Sequence, residues 1–175
     1  MSQTSTTGFT AFGMQFASER EASIDLMDKI RVAEACAGVA LANWAKNCTN
    51  PALRGGLSMI AEREAYHGRV FAKRIEELSG ECKAPLDPFS MESEACIANP
   101  ALTDLEKLTS LVERNGDPKT LISPVLAFAD LLTEDLETAE LLRLYYADEI
   151  SSGYWLIDMC KVMTEASGAK VQHAA

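Results

Sequence analysis

Three long stretches of this sequence carry apolar residues at steps of three and four, and a single glutamate interrupts each stripe near its middle. The first stripe runs Met27, Ile30, Glu34, Ala37, Leu41, Trp44. The second runs Leu53, Leu57, Ile60, Glu64, His67, Phe71, Ile75, Leu78. The third runs Leu142, Tyr145, Glu149, Ser152, Leu156, Met159, Met163. Such spacing marks the buried face of an α-helix and excludes the alternation of a half-buried strand. A carboxylate on a buried face loses its hydration and needs a partner, a proton or a metal ion. The chain must therefore fold as packed helices whose core accommodates acids.

The breaks between the stripes divide the chain. A first helix is predicted from about Glu19 to Lys46, and Asn47-Cys48-Thr49-Asn50-Pro51 stops it and restarts the chain, with Pro51 suited to a first helical turn. A second runs from about Ala52 to Ser79, with Gly80 as its C-terminal cap. Residues 81–100, with Pro85, Pro88 and Pro100, read as a long connection. A short amphipathic helix follows over Thr103–Arg114, then a stretch from Lys119 to Leu132 with Pro124 in its first turns. A last long helix opens at Glu134 or Asp135 and reaches about Glu165. Residues 1–18, with Phe9, Phe12 and Phe16, form an arm expected to pack on the domain or on a neighbouring subunit, and 166–175 a polar tail. No strand is expected. The class is all-α, and long helices joined by short turns and one long crossover predict an antiparallel bundle.

Composition removes several function classes. A formal net charge of −10 over 175 residues offers little to neutralise nucleic-acid phosphates or to dock on anionic lipid. A hydrophobic content of 47% is too high for a disordered acidic tail. No apolar run approaches the ~20 residues of a membrane span, and Met1–Ser18 lacks the basic and apolar regions of a signal peptide. Five cysteines without a Cys-x-x-Cys pair fit a reducing cytosol, with Cys36 and Cys160 as packing residues. Trp44 and Trp155 are expected in the core or at an interface.

The acids on the stripes carry the chemical signal. Glu34 and Glu64 lie 30 residues apart, on either side of the turn near residues 49–50. An antiparallel hairpin places them at nearly the same height. Glu64 and His67 form Glu-x-x-His, and residues three apart share a helix face. Carboxylate oxygen with imidazole nitrogen suits iron or manganese. Arg63, with the other charged residues of this helix, is assigned to the solvent side. Asp148 competes with Glu149 for the inward position, and Asp117 reads as a helix cap. Tyr145 and Tyr66, neighbours of Glu149 and His67, read as core packing.

These residues resemble the ferritin-like superfamily of ferritins, rubrerythrins and di-iron carboxylate proteins, whose pattern is a Glu on one helix and Glu-x-x-His on the next, repeated in the second half. Glu34, Glu64 and His67 match the first half. In the second half Glu149 is followed by Ser152 where the family has histidine, and the third helix offers no matching glutamate. The resemblance implies a four-helix bundle over residues 19–165, one or two iron or manganese ions on Glu34, Glu64, His67 and Glu149, and oxidoreductase chemistry on oxygen or peroxide. It also implies a homodimer. The alternatives are a bundle that lost its metal and binds a small ligand or partner helix, and a different helical fold of the haem-oxygenase kind.

Overall fold

The computed structural model describes residues 8–173, with side chains as far as residue 168. Six helices account for most of the chain. Helix α1 spans Glu19–Asn47 and opens at Ser18, whose hydroxyl accepts the Glu21 N–H at 3.1 Å. Helix α2 spans Pro51–Glu77; Asn50 caps it by accepting the Ala52 and Leu53 N–H groups, and Pro51 occupies the first turn. Glycines bring this hairpin together. A Cβ on Gly38 would lie 3.0 Å from Ala65 N, and one on Gly68 would lie 3.2 Å from Ala35 N. Those two pairings fix an antiparallel register in which Glu34 faces His67.

Helix α3 covers Pro88–Ala98, α4 Asp104–Asn115, α5 Pro118–Leu131 and α6 Leu136–His173. Helices α5 and α6 form a second antiparallel pair, with Gly153 against Pro118 and Arg143 bonded to Asp130 at 2.9 Å. Helix α6 also meets α2 and α4, and α3 lies on α1.

Three carboxylates tie these pieces. Glu19 accepts the N–H groups of Thr133, Glu134 and Asp135, each at 2.9 Å, and so clamps the turn before α6 to the start of α1. Burial works against the ionised Glu19, but those backbone donors outweigh it and hold its pKa below the ordinary value. Asp28 accepts Lys83 N at 2.7 Å and Ala84 N at 2.6 Å, fixing the connection after α2. Asp104 accepts Trp44 Nε1 at 2.9 Å and Thr49 N at 3.1 Å, joining α4 to the α1–α2 turn.

The core falls into two halves. One gathers Met27, Ile30, Phe71, Phe128, Leu142 and Tyr145; the other gathers Leu41, Trp44, Leu57, Ile60, Leu108 and Leu111. Glu34, Glu64 and His67 lie between them in the helices, each buried. No helix of the described residues is long and apolar enough to cross a membrane.

The structure departs from the sequence expectations in four places. Strands β1 (Phe9–Ala11) and β2 (Met14–Phe16) pair antiparallel, so the described part of the arm is a hairpin; Phe9 and Phe16 pack on the core and Phe12 stacks on Phe128. Residues 1–7 of the arm lie outside the described residues. The connection over 81–100 contains α3, started by Asp87 as cap and Pro88 in the first turn. Helix α2 ends at Glu77, two residues before the expected Ser79, with Leu78 as its cap: Ser79, not Gly80, takes the positive φ of 53°, while Gly80 donates to Ile75 O at 2.8 Å and leaves room for Ile24. Helix α6 continues to His173, so most of the expected polar tail is helical; residues 174–175 lie outside the described residues. Pro124 falls in the second turn of α5, within the first turns expected for it, and the Thr120 carbonyl it cannot serve accepts the Ser123 hydroxyl at 3.1 Å.

Candidate metal centre

Glu34 of α1, Glu64 and His67 of α2, and Glu149 of α6 converge, with one donor atom from each lying within 4.8 Å of the others. His67 Nδ1 is 3.6 Å from Glu34 Oε2, 3.5 Å from Glu64 Oε2 and 3.6 Å from Glu149 Oε1. These separations exceed ordinary hydrogen bonds. All four atoms are buried, and none has a hydrogen-bond partner among the described residues. Buried polar atoms are normally satisfied. Four orphaned atoms facing one point, three of them carboxylate oxygens, form a donor set that a divalent cation would satisfy.

Two further atoms of the cluster, Glu34 Oε1 and His67 Nε2, have partners. Tyr145 donates its hydroxyl to Glu34 Oε1 at 2.9 Å, which leaves Oε2 for the cluster. His67 Nε2 lies 3.1 Å from Asp148 Oδ2. A carboxylate there keeps the proton on Nε2 and frees the Nδ1 lone pair for a cation. Glu149 and Asp148 thus both face His67, one on each ring nitrogen, and the competition between them for one inward position is resolved by both being used.

The packing of these acids shifts their titration. Burial, followed by the neighbouring Glu34 carboxylate, raises Glu64 to about 8. Burial, followed by Glu64, raises Glu149 to about 8. Burial alone would lower His67, but Glu34, Glu64 and Asp148 together raise it to about 10. Burial and then the Glu34 charge push Tyr145 well above its usual value. Without an ion the cluster therefore retains, near neutral pH, protons that isolated carboxylates would have released.

The second half of the motif differs in a way the helix periodicity did not reveal. Ser152 is buried and accepts a hydrogen bond from Arg63, whose guanidinium also approaches Asp148 Oδ1 at 3.7 Å. Arg63 is therefore not a solvent-side residue; its long side chain reaches from α2 across to α6. Asp117 caps α5 through Thr120 N at 2.9 Å, as its sequence position suggested. In the α5–α6 register set by Gly153 and Pro118, the place opposite Glu149 falls near Ile122, an apolar residue. The site is thus one-sided, with donors from α1, α2 and α6.

Two expectations about aromatic and sulfur side chains can be placed. Trp44 is buried, whereas Tyr66 is exposed beside the cluster. All five cysteines are free thiols, and none is among the four converging residues. No protein-family model, curated protein or solved structure gives a significant match to this chain.

Proposed function

We propose that the protein binds one iron or manganese ion through Glu34, Glu64, His67 and Glu149, in a helical bundle of the ferritin-like kind, and acts as an oxidoreductase on oxygen or peroxide. The observation that carries this reading is the set of four buried, unpartnered donor atoms within 4.8 Å of one another. The hairpins α1–α2 and α5–α6, separated by a crossover, support the bundle resemblance. A bound ion would supply a redox-active Lewis acid in a water-poor core.

The chain's own groups have separate tasks. Glu34, Glu64 and Glu149 compensate the charge of the ion. Asp148 orients His67 through Nε2. Tyr145 positions Glu34 and places a hydroxyl proton at the edge of the site. Arg63 favours a single ion: its cationic guanidinium occupies the region where the family motif would bring a second histidine, on Ser152. A fixed positive charge there repels a second cation.

The competing reading is a metal-free cluster of acids sharing protons. The raised pKa values of Glu64 and Glu149 favour it, but the three carboxylate oxygens stand 3.5–3.6 Å from Nδ1 and none of the four inner atoms has a hydrogen-bond partner among the described residues. A homodimer belongs to the same proposal. The deciding experiment is metal analysis of protein purified without chelator, for the native chain and His67→Ala. About one iron or manganese per native chain, lost in the variant, is expected. A native chain that stays metal-free after reconstitution with both ions would refute the reading.

A further inference from the structure

A cavity of about 360 Å³ lies beside the carboxylates, with Glu34, Glu64 and Glu149 in its wall. Its other walls come from α1, α2, α3, α4, α5 and α6 and are mostly apolar, including Ile60, Phe89, Leu121 and Leu156. His67 is not in the lining, and no lysine or arginine is. Helix α3 contributes Ser90, Ser93 and Glu94 as polar lining, and Glu94 alone of these keeps a side-chain oxygen, Oε1, buried without a hydrogen-bond partner among the described residues. Glu94 is thus a fourth carboxyl group in the wall, on a helix that the sequence reading assigned to a connection.

An apolar chamber of this size suits a molecule of roughly ten to fifteen non-hydrogen atoms at protein packing density. Its charge pattern selects further. Every ionisable group in the wall, apart from the phenol of Tyr145, is a carboxyl group, so even with one divalent ion on Glu34, Glu64 and Glu149 the wall stays net negative and disfavours an anionic ligand. An orphaned carboxylate oxygen in an apolar wall is satisfied best by a hydrogen-bond donor, and most strongly by a cationic one. We infer that this cavity binds a small, mainly apolar amine, with its ammonium group on Glu94 and its apolar body directed along the chamber beside the cluster. The inference rests on the metal-site reading for the amine's being a substrate, and it assigns Glu94 as the residue that sets ligand charge.

The test uses three probes of matched shape, 4-phenylbutylamine, 4-phenylbutanol and 4-phenylbutyrate, titrated calorimetrically into the full chain reconstituted with Mn(II). Metal content is measured on the same samples. The amine is expected to bind at least about tenfold more tightly than the alcohol, the increment of one charge-assisted hydrogen bond, and the carboxylate most weakly. Glu94→Gln keeps the shape and should erase the preference for the amine while metal content stays unchanged. Leu121→Trp, at the half-exposed wall, should weaken all three probes together. Carboxylate binding equal to or tighter than the amine, no binding of any probe, or an amine preference that survives Glu94→Gln would overturn the inference. Metal-loaded protein without amine preference fails this inference alone; amine preference in protein that takes up no metal supports it and fails the metal reading.

Discussion

Glu64→Gln is predicted to act in opposite directions on the empty and the loaded protein. Glu64 is buried, and its pKa rises from an ordinary 4.5 to about 8, first through burial and then through Glu34. Between those values the folded state holds a proton that the unfolded state has released, so the stability of the ion-free protein falls as pH rises through the window. Each tenfold step in the proton equilibrium is worth ~1.4 kcal/mol, which sets a ceiling on the order of 5 kcal/mol above pH 8. Glu149, also near 8, shares the same protons, so Glu64 alone should account for about 2–4 kcal/mol of it. Glutamine preserves the shape of the protonated acid and cannot ionise. In chelator, urea unfolding followed by circular dichroism should find Glu64→Gln within about 1 kcal/mol of the native chain at pH 5 and more stable by about 2–4 kcal/mol at pH 9. With Mn(II) or Fe(II) present the order should reverse, because the variant has lost an anionic ligand. A native stability that is flat from pH 5 to 9 in chelator, or a variant that is destabilised equally at every pH, would refute the reasoning.

Four further outcomes follow from other residues. Asp148→Asn removes the carboxylate that orients His67 through Nε2, and metal affinity should fall about ten- to a hundredfold in a competition titration with a chromogenic chelator. Arg63→Ala combined with Ser152→His removes the guanidinium and supplies a second imidazole, so metal content should rise above that of the native chain by elemental analysis. Glu19→Ala leaves the Thr133, Glu134 and Asp135 N–H groups unpaired and should lower stability by about 2–3 kcal/mol at pH 7; since the native pKa is lowered, the loss should shrink as pH falls through the acid range, where the native carboxylate is protonated too. Gly38→Leu forces α1 away from Ala61 and Ala65, and should cost about 2–4 kcal/mol in urea unfolding while weakening metal binding, because Glu34 moves with α1.

What the sequence made legible was what helical periodicity encodes. The stripes through Glu34, Glu64, His67 and Glu149 identified all four converging residues, because burial repeats every three or four positions and the short turn at Cys48–Asn50 leaves the hairpin one register. Features set by reach or by short local geometry were not legible. Arg63 is off the buried stripe by its Cα position, yet its long side chain crosses to Ser152. Glu94 was hidden because the prolines around it read as loop, although Asp87-Pro88 is a capping residue followed by a first-turn proline. The three-residue strands are too short for an alternating pattern, and their turn uses Phe12 and Gly13 at φ 53° and 71° rather than an Asn-Gly pair. The connection between α2 and α3 is fixed by Asp28 from more than fifty residues away, a contact that no local spacing encodes.

The most direct test is anomalous diffraction from crystals of the metal-reconstituted protein, with data on both sides of the iron or manganese absorption edge. The account predicts one anomalous peak per chain, coordinated by Glu34, Glu64, His67 Nδ1 and Glu149, with Asp148 still on His67 Nε2. A cluster with no peak, a peak held by other residues, or a metal on His67 Nε2 would contradict it.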